Sequence, residues 1–595
     1  MAYAINWDLE SIFSGKSQSA ELKAELNHLD EMIQNFHQLV QQLTINSDNE
    51  VEQLKAIIQQ DEAIQKSFTE CATFIEALAS ENIYDNQAKL LTGSLYAKLP
   101  ALQLAQTIFN KKLSSYTKEQ WQALIPTHFA QIAFRLGEMR KQGAELLDEQ
   151  AENIISTLSL DGQSAWSQHY DTIVASIQIP FNGELLSAGQ AFNMMMASAD
   201  ANIRQELFEK WEQAWQEKAD VLADTLNHLD GFRLSNYRLH QVEDFLKEPL
   251  EYNRLDRQTL DQMWATITKN KQKITEFLTR KAQLLGKEKM DWQDQDAPIL
   301  LGDFKERRFT FDQAADFIIE NFRQFSPKMA EFAQMAFEKA WIEAEDRPGK
   351  RPGGYCSSLP KSQESRIFMT YGESVNEVAT LAHELGHAFH SHVMWDLPMF
   401  NQDYAMNVAE TASTFAELIV ADATLNAATS DEEKINLLDV KLQNAVAMFM
   451  NIHARYLFET NFYAARQKGL VATEEITEMM LQAQKEAYVN CLGSYHPHFW
   501  AAKLHFFIDE VPFYNFPYTF GYLFSLGIYA KANQHATGFE DQYIALLRDT
   551  ASMTTEELAK KHLAVDLHEP TFWQAGIDMV LKDIDTFMEL TEQYI

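Results

Sequence analysis

Apolar residues recur at steps of three and four through the first third of the chain. Leu22, Leu26, Leu29, Ile33, Phe36, Val40 and Leu43 make one stripe, the mark of an amphipathic helix lying on a core. The same period runs through residues 50–80, 117–158 and 199–235 and predicts long packing helices there. Two stretches break it. Residues 172–186, TIVASIQIPFNGELL, alternate and contain the turn dipeptide Asn182-Gly183, which predicts a β-hairpin. Residues 346–360, DRPGKRPGGYCSSLP, are the richest Gly/Pro stretch and predict a loop. SRIFMTYG follows as a short strand candidate, Ile367 to Tyr371, before Gly372.

Composition sharpens this picture. The 595 residues exceed one simple core, so two or more lobes are expected. The boundary is placed near residue 200, with a helical lobe over 1–200 and a second unit over 201–595. The 21 Gly and 14 Pro are few for this length, which predicts a mainly α fold. With 46% apolar and 23% charged residues, wholesale disorder is excluded. A formal net charge of -35 repels phosphate backbones and argues against a nucleic-acid partner. It solvates the surface, or favours cationic substrates. No apolar run is long enough for a membrane span, and MAYAINWDLESIF carries no basic-then-apolar leader. Cys71, Cys356 and Cys491 are scattered, without CxxC spacing, which suits a reducing cytoplasm.

The chemistry concentrates in VATLAHELGHAFHSHV, residues 378–393. Ser374 and Glu377 make a capping box that starts a helix just before it. On that helix His383 and His387 share one face, so both can present a ring nitrogen to one zinc ion. Two histidines and a third ligand leave a fourth position for water, whose pKa zinc lowers towards ~7. Glu384 follows the first histidine and can take that proton and pass it to the leaving nitrogen. HExxH arises by chance on the order of a few hundredths of a time in a chain of this size. Gly386 costs the helix roughly 1 kcal/mol against alanine, which close approach of another backbone would explain. His390 shares the face of His387 and His392 does not; both read as supporting or surface residues.

A metzincin would need histidine six residues after His387 and glycine midway; Val393 and His390 stand there, so that pattern fails. The third ligand therefore comes from further on, with Asp396, Asp403, Glu410 and Glu417 as candidates. MNVAETASTFAELIV, 406–420, reads as a second helix. Glu410 stands there among Val408, Ala409, Ala412 and Ser413, company in which a carboxylate is expensive unless paired or metal-bound. Glu417 lies two turns on along the same side and fits a supporting role. Glu410 leads Glu417 on these grounds without closing the choice.

Taken together, RPGGYC, HELGHAFH, VAETASTF and the later KLHFFIDEVPFYNFPYTFGYLFSLGIY, 503–529, resemble the oligoendopeptidase F family, relatives of thimet oligopeptidase among the zinc peptidases. The resemblance covers most of residues 200–590. It implies two helical lobes enclosing a deep substrate channel, a small β element beside the zinc helix, and one zinc per chain. It also implies that the glutamate of VAE, here Glu410, is the third ligand, and that 201–595 is the catalytic domain. Short unstructured oligopeptides are the implied substrates. A histidine and tyrosines of the late segment face the scissile bond in the family, which points to His505, Tyr514 and Tyr522. A donor aimed at the oxyanion adds a factor of ~10²–10³. Phe516, Phe520, Phe524 and Tyr529 read as core. The strand before the zinc helix is expected to act as an edge for the substrate backbone.

Two other readings compete. A peptidyl-dipeptidase of the same superfamily needs a group for the substrate's C-terminal carboxylate, for which Arg347 and Arg351 are the candidates. A non-catalytic helical peptide-binding protein would hold zinc structurally and close its fourth position, usually with cysteine. Cys356 is the nearest in sequence, 27 residues before His383. Oligomeric state is not written in the sequence.

Overall fold

A computed structural model describes residues 2–301, 307–534 and 538–595, and helices dominate it. The first apolar stripe lies on helix Ala20–Gln42, with Leu22, Leu26, Leu29, Ile33, Phe36 and Val40 all buried. Ser19 caps it by accepting from the Leu22 amide at 3.2 Å, and Leu43 is the buried residue after its end. Residues 50–80 form one helix, Glu50–Glu81. The two other periodic stretches are broken. Residues 199–235 give Ala201–Gln216 and Ala219–Leu239. Residues 117–158 give Lys118–His128, Ala133–Glu145 and Glu149–Ser159. Pro126 sits in the last turns of the first of these, and Asp148 caps the third. Every piece except Glu149–Ser159, which has no buried residue, packs an apolar face, so periodicity alone hides the breaks.

The expected hairpin forms but is short. β1 (Ile179–Phe181) pairs antiparallel with β2 (Glu184–Leu186). Asn182 and Gly183 between them both take positive φ, 49° and 85°, as a twist-matched two-residue turn requires. The alternation upstream belongs to helix Ala165–Ala175 instead.

A second sheet corrects two expectations. β3 (Ile342–Glu343), β4 (Tyr355–Leu359) and β5 (Glu364–Phe368) lie in the order β3-β5-β4, with β3 parallel and β4 antiparallel to β5. The strand before the motif helix is therefore central, not an edge, and ends at Phe368. The Gly/Pro loop is also not loop throughout, because Tyr355–Leu359 within it form the outer strand β4. Tyr355 pairs with Phe368 and Leu359 with Glu364, a partner that local composition could not reveal.

This sheet joins two apolar cores. One gathers residues from Trp7 to Met139, the other from Tyr170 to Phe587. Successive β5 side chains point to opposite faces, so Ile367 enters the second core and Phe368 the first. Main-chain bonds add to the seam. Asp8 donates to Ala340 at 2.7 Å and Ala344 to Ile5 at 2.8 Å. The Thr73 hydroxyl donates to Ser358 on β4 at 2.8 Å. No described helix is long and apolar enough to cross a membrane.

From β5 the chain enters the motif helix, Val375–Met394, which lies against the carboxylate helix, Met406–Ala427. Gly386 is the contact point. A Cβ there would meet the Ala412 carbonyl oxygen at 2.5 Å and the Ser413 Cα at 2.6 Å. On the other side of the carboxylate helix packs the tyrosine helix, Phe516–Gln534. A Cβ on its Gly521 would stand 2.8 Å from the Glu410 Cβ.

Replacing Gly386 by alanine tests the constraint. Helix propensity favours Ala by roughly 1 kcal/mol, while overpacking against backbone costs about 1–3 kcal/mol or more. Since a main-chain carbonyl cannot yield as a side chain can, the loss is expected to win. Gly386→Ala should lower the melting temperature; an unchanged or higher one would mean that the helices separate freely.

Candidate metal and catalytic centre

The capping box forms. The Ser374 hydroxyl accepts from the Glu377 amide at 3.3 Å, and the Glu377 carboxylate accepts from the Ser374 amide at 2.9 Å. One turn and a half later, His383 and His387 present their rings side by side, centroids 4.9 Å apart. Their Nε2 atoms stand 3.3 and 3.6 Å from Glu410 Oε2. The three donor atoms lie within 4.8 Å of one another, and all three side chains are partly open to solvent. A tetrahedral zinc with bonds of about 2.0–2.1 Å spaces its donors by roughly 3.3–3.4 Å, so the residues present fit such an ion. Glu410 is held by the Ser413 hydroxyl, which donates to Oε2 at 2.8 Å. His383 is oriented from behind, its Nδ1 3.0 Å from Glu417 Oε2.

The electrostatics divide the two histidines. Burial works against charge on His383, yet hydrogen bonds to Glu410 and Glu417 raise it to about 10. Burial lowers His387 to about 4. Glu410 falls to about 2 because His383 and His387 outweigh its burial. A proton on His383 thus balances the carboxylates, and a metal ion binding there would displace it. Glu384 is buried beside this group. Burial, then Glu410 and Glu417, push it up to about 7 against the pull of His383. A Cβ on Gly354, just ahead of β4, would lie 3.8 Å from Glu384 Oε1, so the outer strand begins next to this carboxyl.

The other candidate carboxylates go elsewhere. Asp396 pairs with Arg548 at 2.6 Å, and Asp403 stands 3.4 Å from Arg135. His390 is a buried structural residue. Its ring stacks on Tyr404 at 4.1 Å, and Nε2 meets the Thr550 hydroxyl at 2.9 Å. His392 packs among Phe332, Phe389 and Trp395. The loop arginines are also engaged. Arg347 pairs with Glu343 and Glu345, and exposed Arg351 stands 3.4 Å from Glu76.

A second cluster holds His505, Tyr514 and Tyr518. Ring centroids are 5.7 Å apart for His505 and Tyr514, 6.2 Å for His505 and Tyr518, and 5.9 Å for the two tyrosines. Tyr522 is not part of it. It lies one helical turn further on, buried against Phe449 at 5.6 Å. Tyr518, which the sequence did not single out, stands in the cluster instead. The signal for it was the four-residue step from Tyr514 to Tyr518 across a helix start, which places 518 at the mouth of the helix and 522 in the core. Burial, aided by the charges of Arg455 and Lys503, lowers His505 to about 4, so its ring is neutral at pH 7. Burial raises Tyr518, and hydrogen bonding to Tyr514 and the Glu410 charge add to it. Phe516, Phe520, Phe524 and Tyr529 are buried as expected.

The turn that carries Tyr514 is anchored from below. Phe513 has a left-handed φ of 54°, costly for a side chain of this size. Its amide donates to buried Glu459 at 2.8 Å, whose carboxyl burial pushes up to about 8. Arg233 donates to the Ile508 and Asp509 carbonyls at 3.1 and 2.8 Å. It is itself held by Asp230 at 2.7 Å and the Tyr463 hydroxyl at 2.6 Å.

Comparison with known proteins follows this geometry. The profile of Peptidase family M3 matches residues 194–578, and that of the N-terminal region described as Oligopeptidase F matches 112–179. An oligoendopeptidase F homolog of Lactococcus lactis subsp. lactis is 22% identical, covering 99% of this chain and 98% of its own. The oligopeptidase PepF of Bacillus subtilis is 21% identical, over 98% of this chain and 87% of its own. Among solved structures, oligoendopeptidase-F from Enterococcus faecium superposes with a TM-score of 0.70 at 15% identity, over 96% of this chain and 99% of that one.

Arg233 offers a direct check on the anchoring of the turn. Arg233→Met strands the buried Asp230 and frees two carbonyls, a loss of about 3–5 kcal/mol for a broken buried pair. Urea unfolding should show a much lower midpoint. A midpoint equal to that of the parent would mean that the Arg233 network does not hold the turn.

Proposed function

The chain belongs to peptidase family M3, and from that membership we propose that it is a zinc endopeptidase of short, unstructured oligopeptides. His383, His387 and Glu410 hold one zinc ion per chain in this reading, and Glu384 is the general base. The observation that carries it is the convergence of two Nε2 atoms and one carboxylate oxygen within 4.8 Å, with the buried Glu384 carboxyl on the same helix. Zinc bound there supplies a Lewis acid and an acidified water.

The chain's own residues do the rest. Glu417 fixes the His383 ring through Nδ1, so Nε2 is the atom left for the metal. Glu384 takes a proton at its carboxylate and returns it to the leaving nitrogen. A carboxyl poised near neutral pH can do both. His505, neutral, and the phenols of Tyr514 and Tyr518 donate hydrogen bonds to the oxygen that gains charge. The outer strand β4, which starts beside Glu384, replaces β5 as the edge that receives substrate backbone. Lobe closure over the peptide excludes water, and the two cores joined through one small sheet suit such a motion. A purely structural zinc is disfavoured, since no cysteine sulfur belongs to the donor group among the described residues.

Three measurements test this. His383→Ala should remove the metal and the activity together by elemental analysis and peptide assay; full zinc occupancy would overturn the ligand assignment. Glu384→Gln should keep its zinc and lose several orders of magnitude in kcat, and near-parental turnover would pass the role to another group. In the tyrosine series, Tyr514→Phe and Tyr518→Phe should lower kcat at little-changed KM, with up to ~2.7–4 kcal/mol lost. Tyr522→Phe should act on stability alone. A kcat loss confined to Tyr522→Phe would reverse the assignment.

A further inference from the structure

Two cations stand beside the His505–Tyr514–Tyr518 cluster without a carboxylate bonded to either among the described residues. Arg455, on helix Ile452–Arg466, donates to Asn451 Oδ1 at 2.8 Å and Asn515 Oδ1 at 3.0 Å. Both acceptors are neutral amides, so its charge is left unbalanced. The Lys503 ammonium has no hydrogen-bonded partner among the described residues; ring faces lie near it, Phe192 at 5.6 Å and Phe499 at 5.3 Å, and it feels the charge of Asp296 from the same cavity wall. The Arg455 guanidinium stands over the same Phe499 ring at 5.5 Å. All of these except Asn515 line one cavity of about 140 Å³.

Buried cations elsewhere among the described residues are paired. Arg204 meets Asp294 at 2.8 Å, Lys281 meets Asp439 at 2.9 Å, and Arg233 meets Asp230 at 2.7 Å. Lys271, the exception, is satisfied by His453 and by the Ala487 carbonyl at 2.8 Å. Asp296 is the one carboxylate in the cavity wall. It makes no ion pair with either cation among the described residues, and its charge is divided between Lys281, the stronger influence, and Lys503. Leaving two charges in a low-dielectric cavity is costly unless an anion arrives. The strain is visible: burial lowers Lys503 to about 7, with Arg455 adding to it, and burial lowers Arg455 to about 10.

Position ties the pair to the reaction. Lys503 lies two residues before His505, and Asn515, which Arg455 holds, follows Tyr514. A water takes about 30 Å³ of liquid volume, so the cavity has room for a carboxylate and a few attached carbons. A guanidinium with a free Nη2 edge and an ammonium nearby are suited to such a group. We propose that Arg455 and Lys503 form a subsite that receives a carboxylate of the peptide substrate, either its C-terminus or an Asp or Glu side chain, next to the His505–Tyr514–Tyr518 cluster. This rests on the peptidase reading above, and it puts the carboxylate-binding function on Arg455 and Lys503, since Arg347 and Arg351 are engaged elsewhere.

Four versions of one otherwise neutral octapeptide test it on the zinc-loaded full chain: free acid, C-terminal amide, and the amide with Glu or Gln downstream of the cut. The parent should prefer one carboxylate form over its neutral mate by about tenfold or more in kcat/KM, as a charged hydrogen bond supplies. The pair that shows the preference names the source. Lys503→Met and Arg455→Gln should each collapse that ratio, while Lys503→Arg keeps most of it. Ratios near one for both pairs in the parent overturn the subsite, as does an unchanged ratio in both neutral variants. If Arg455→Gln does not fold, Lys503→Met decides alone. Chelator-sensitive cleavage of the neutral amide reports the peptidase reading separately; a parent that cuts none of the four overturns that reading and the subsite with it.

Discussion

The close approach of two helices at Gly386 is the constraint on which the centre depends. Hydrogen in place of a side chain lets the backbone at Ala412 and Ser413 come to where a Cβ would stand 2.5–2.6 Å away. Any larger residue pushes the carboxylate helix outward, and with it Glu410. The histidines need only the motif helix to share a face; their meeting with Glu410 needs the second helix at this distance. Gly521 repeats the device on the far side, where a Cβ on the tyrosine helix would stand 2.8 Å from the Glu410 Cβ. Three helices are thus locked in register by two missing side chains, and the group that results is stiff because backbone, not side chain, defines it.

Around this group the protein buries charges of both signs and balances most of them. Glu417 and Glu410 flank the two ring nitrogens of His383 and favour its charged form, and burial pushes Glu384 up to about 7. On the other wall His505 is kept neutral and Tyr518 protonated, both the forms that donate hydrogen bonds. Below them Arg233, Asp230, Tyr463 and Glu459 carry their charge or polarity into the interior to hold one strained turn at Phe513. Such networks contribute less to stability than an apolar core of the same volume. Their use here is positional: they fix the loop that presents Tyr514. Arg455 and Lys503 depart from this pattern, since neither is bonded to a carboxylate among the described residues.

The sheet links the centre to the rest of the chain. β5 sends Ile367 into one core and Phe368 into the other, then runs within a few residues to the Ser374 cap. Glu384, the outer strand β4 and the seam between the cores are therefore neighbours in the structure.

By itself the sequence determined whatever depends on neighbours along the chain. The 3.6-residue stripes gave the helices, Asn182-Gly183 gave the turn, and Ser374 with Glu377 gave the start of the motif helix. The i, i+4 step put His383 and His387 on one face, and the glycine inside that helix announced a close backbone. It left Glu410 and Glu417 open, because residues on separate helices are ranked by packing and not by spacing; the structure gives Glu410 the donor position and Glu417 the back of His383. Tertiary structure alone decided the rest. It made β4 a strand, since a Gly/Pro-rich stretch pairs only when a partner is supplied. It buried Tyr522 and left Tyr518 half-open, because residues four apart share a helix face and only their depth along it, set by the elements packed around the helix, separates them. It also set Arg455 and Lys503 on one aromatic ring from positions 48 residues apart in the sequence, a juxtaposition no local pattern encodes.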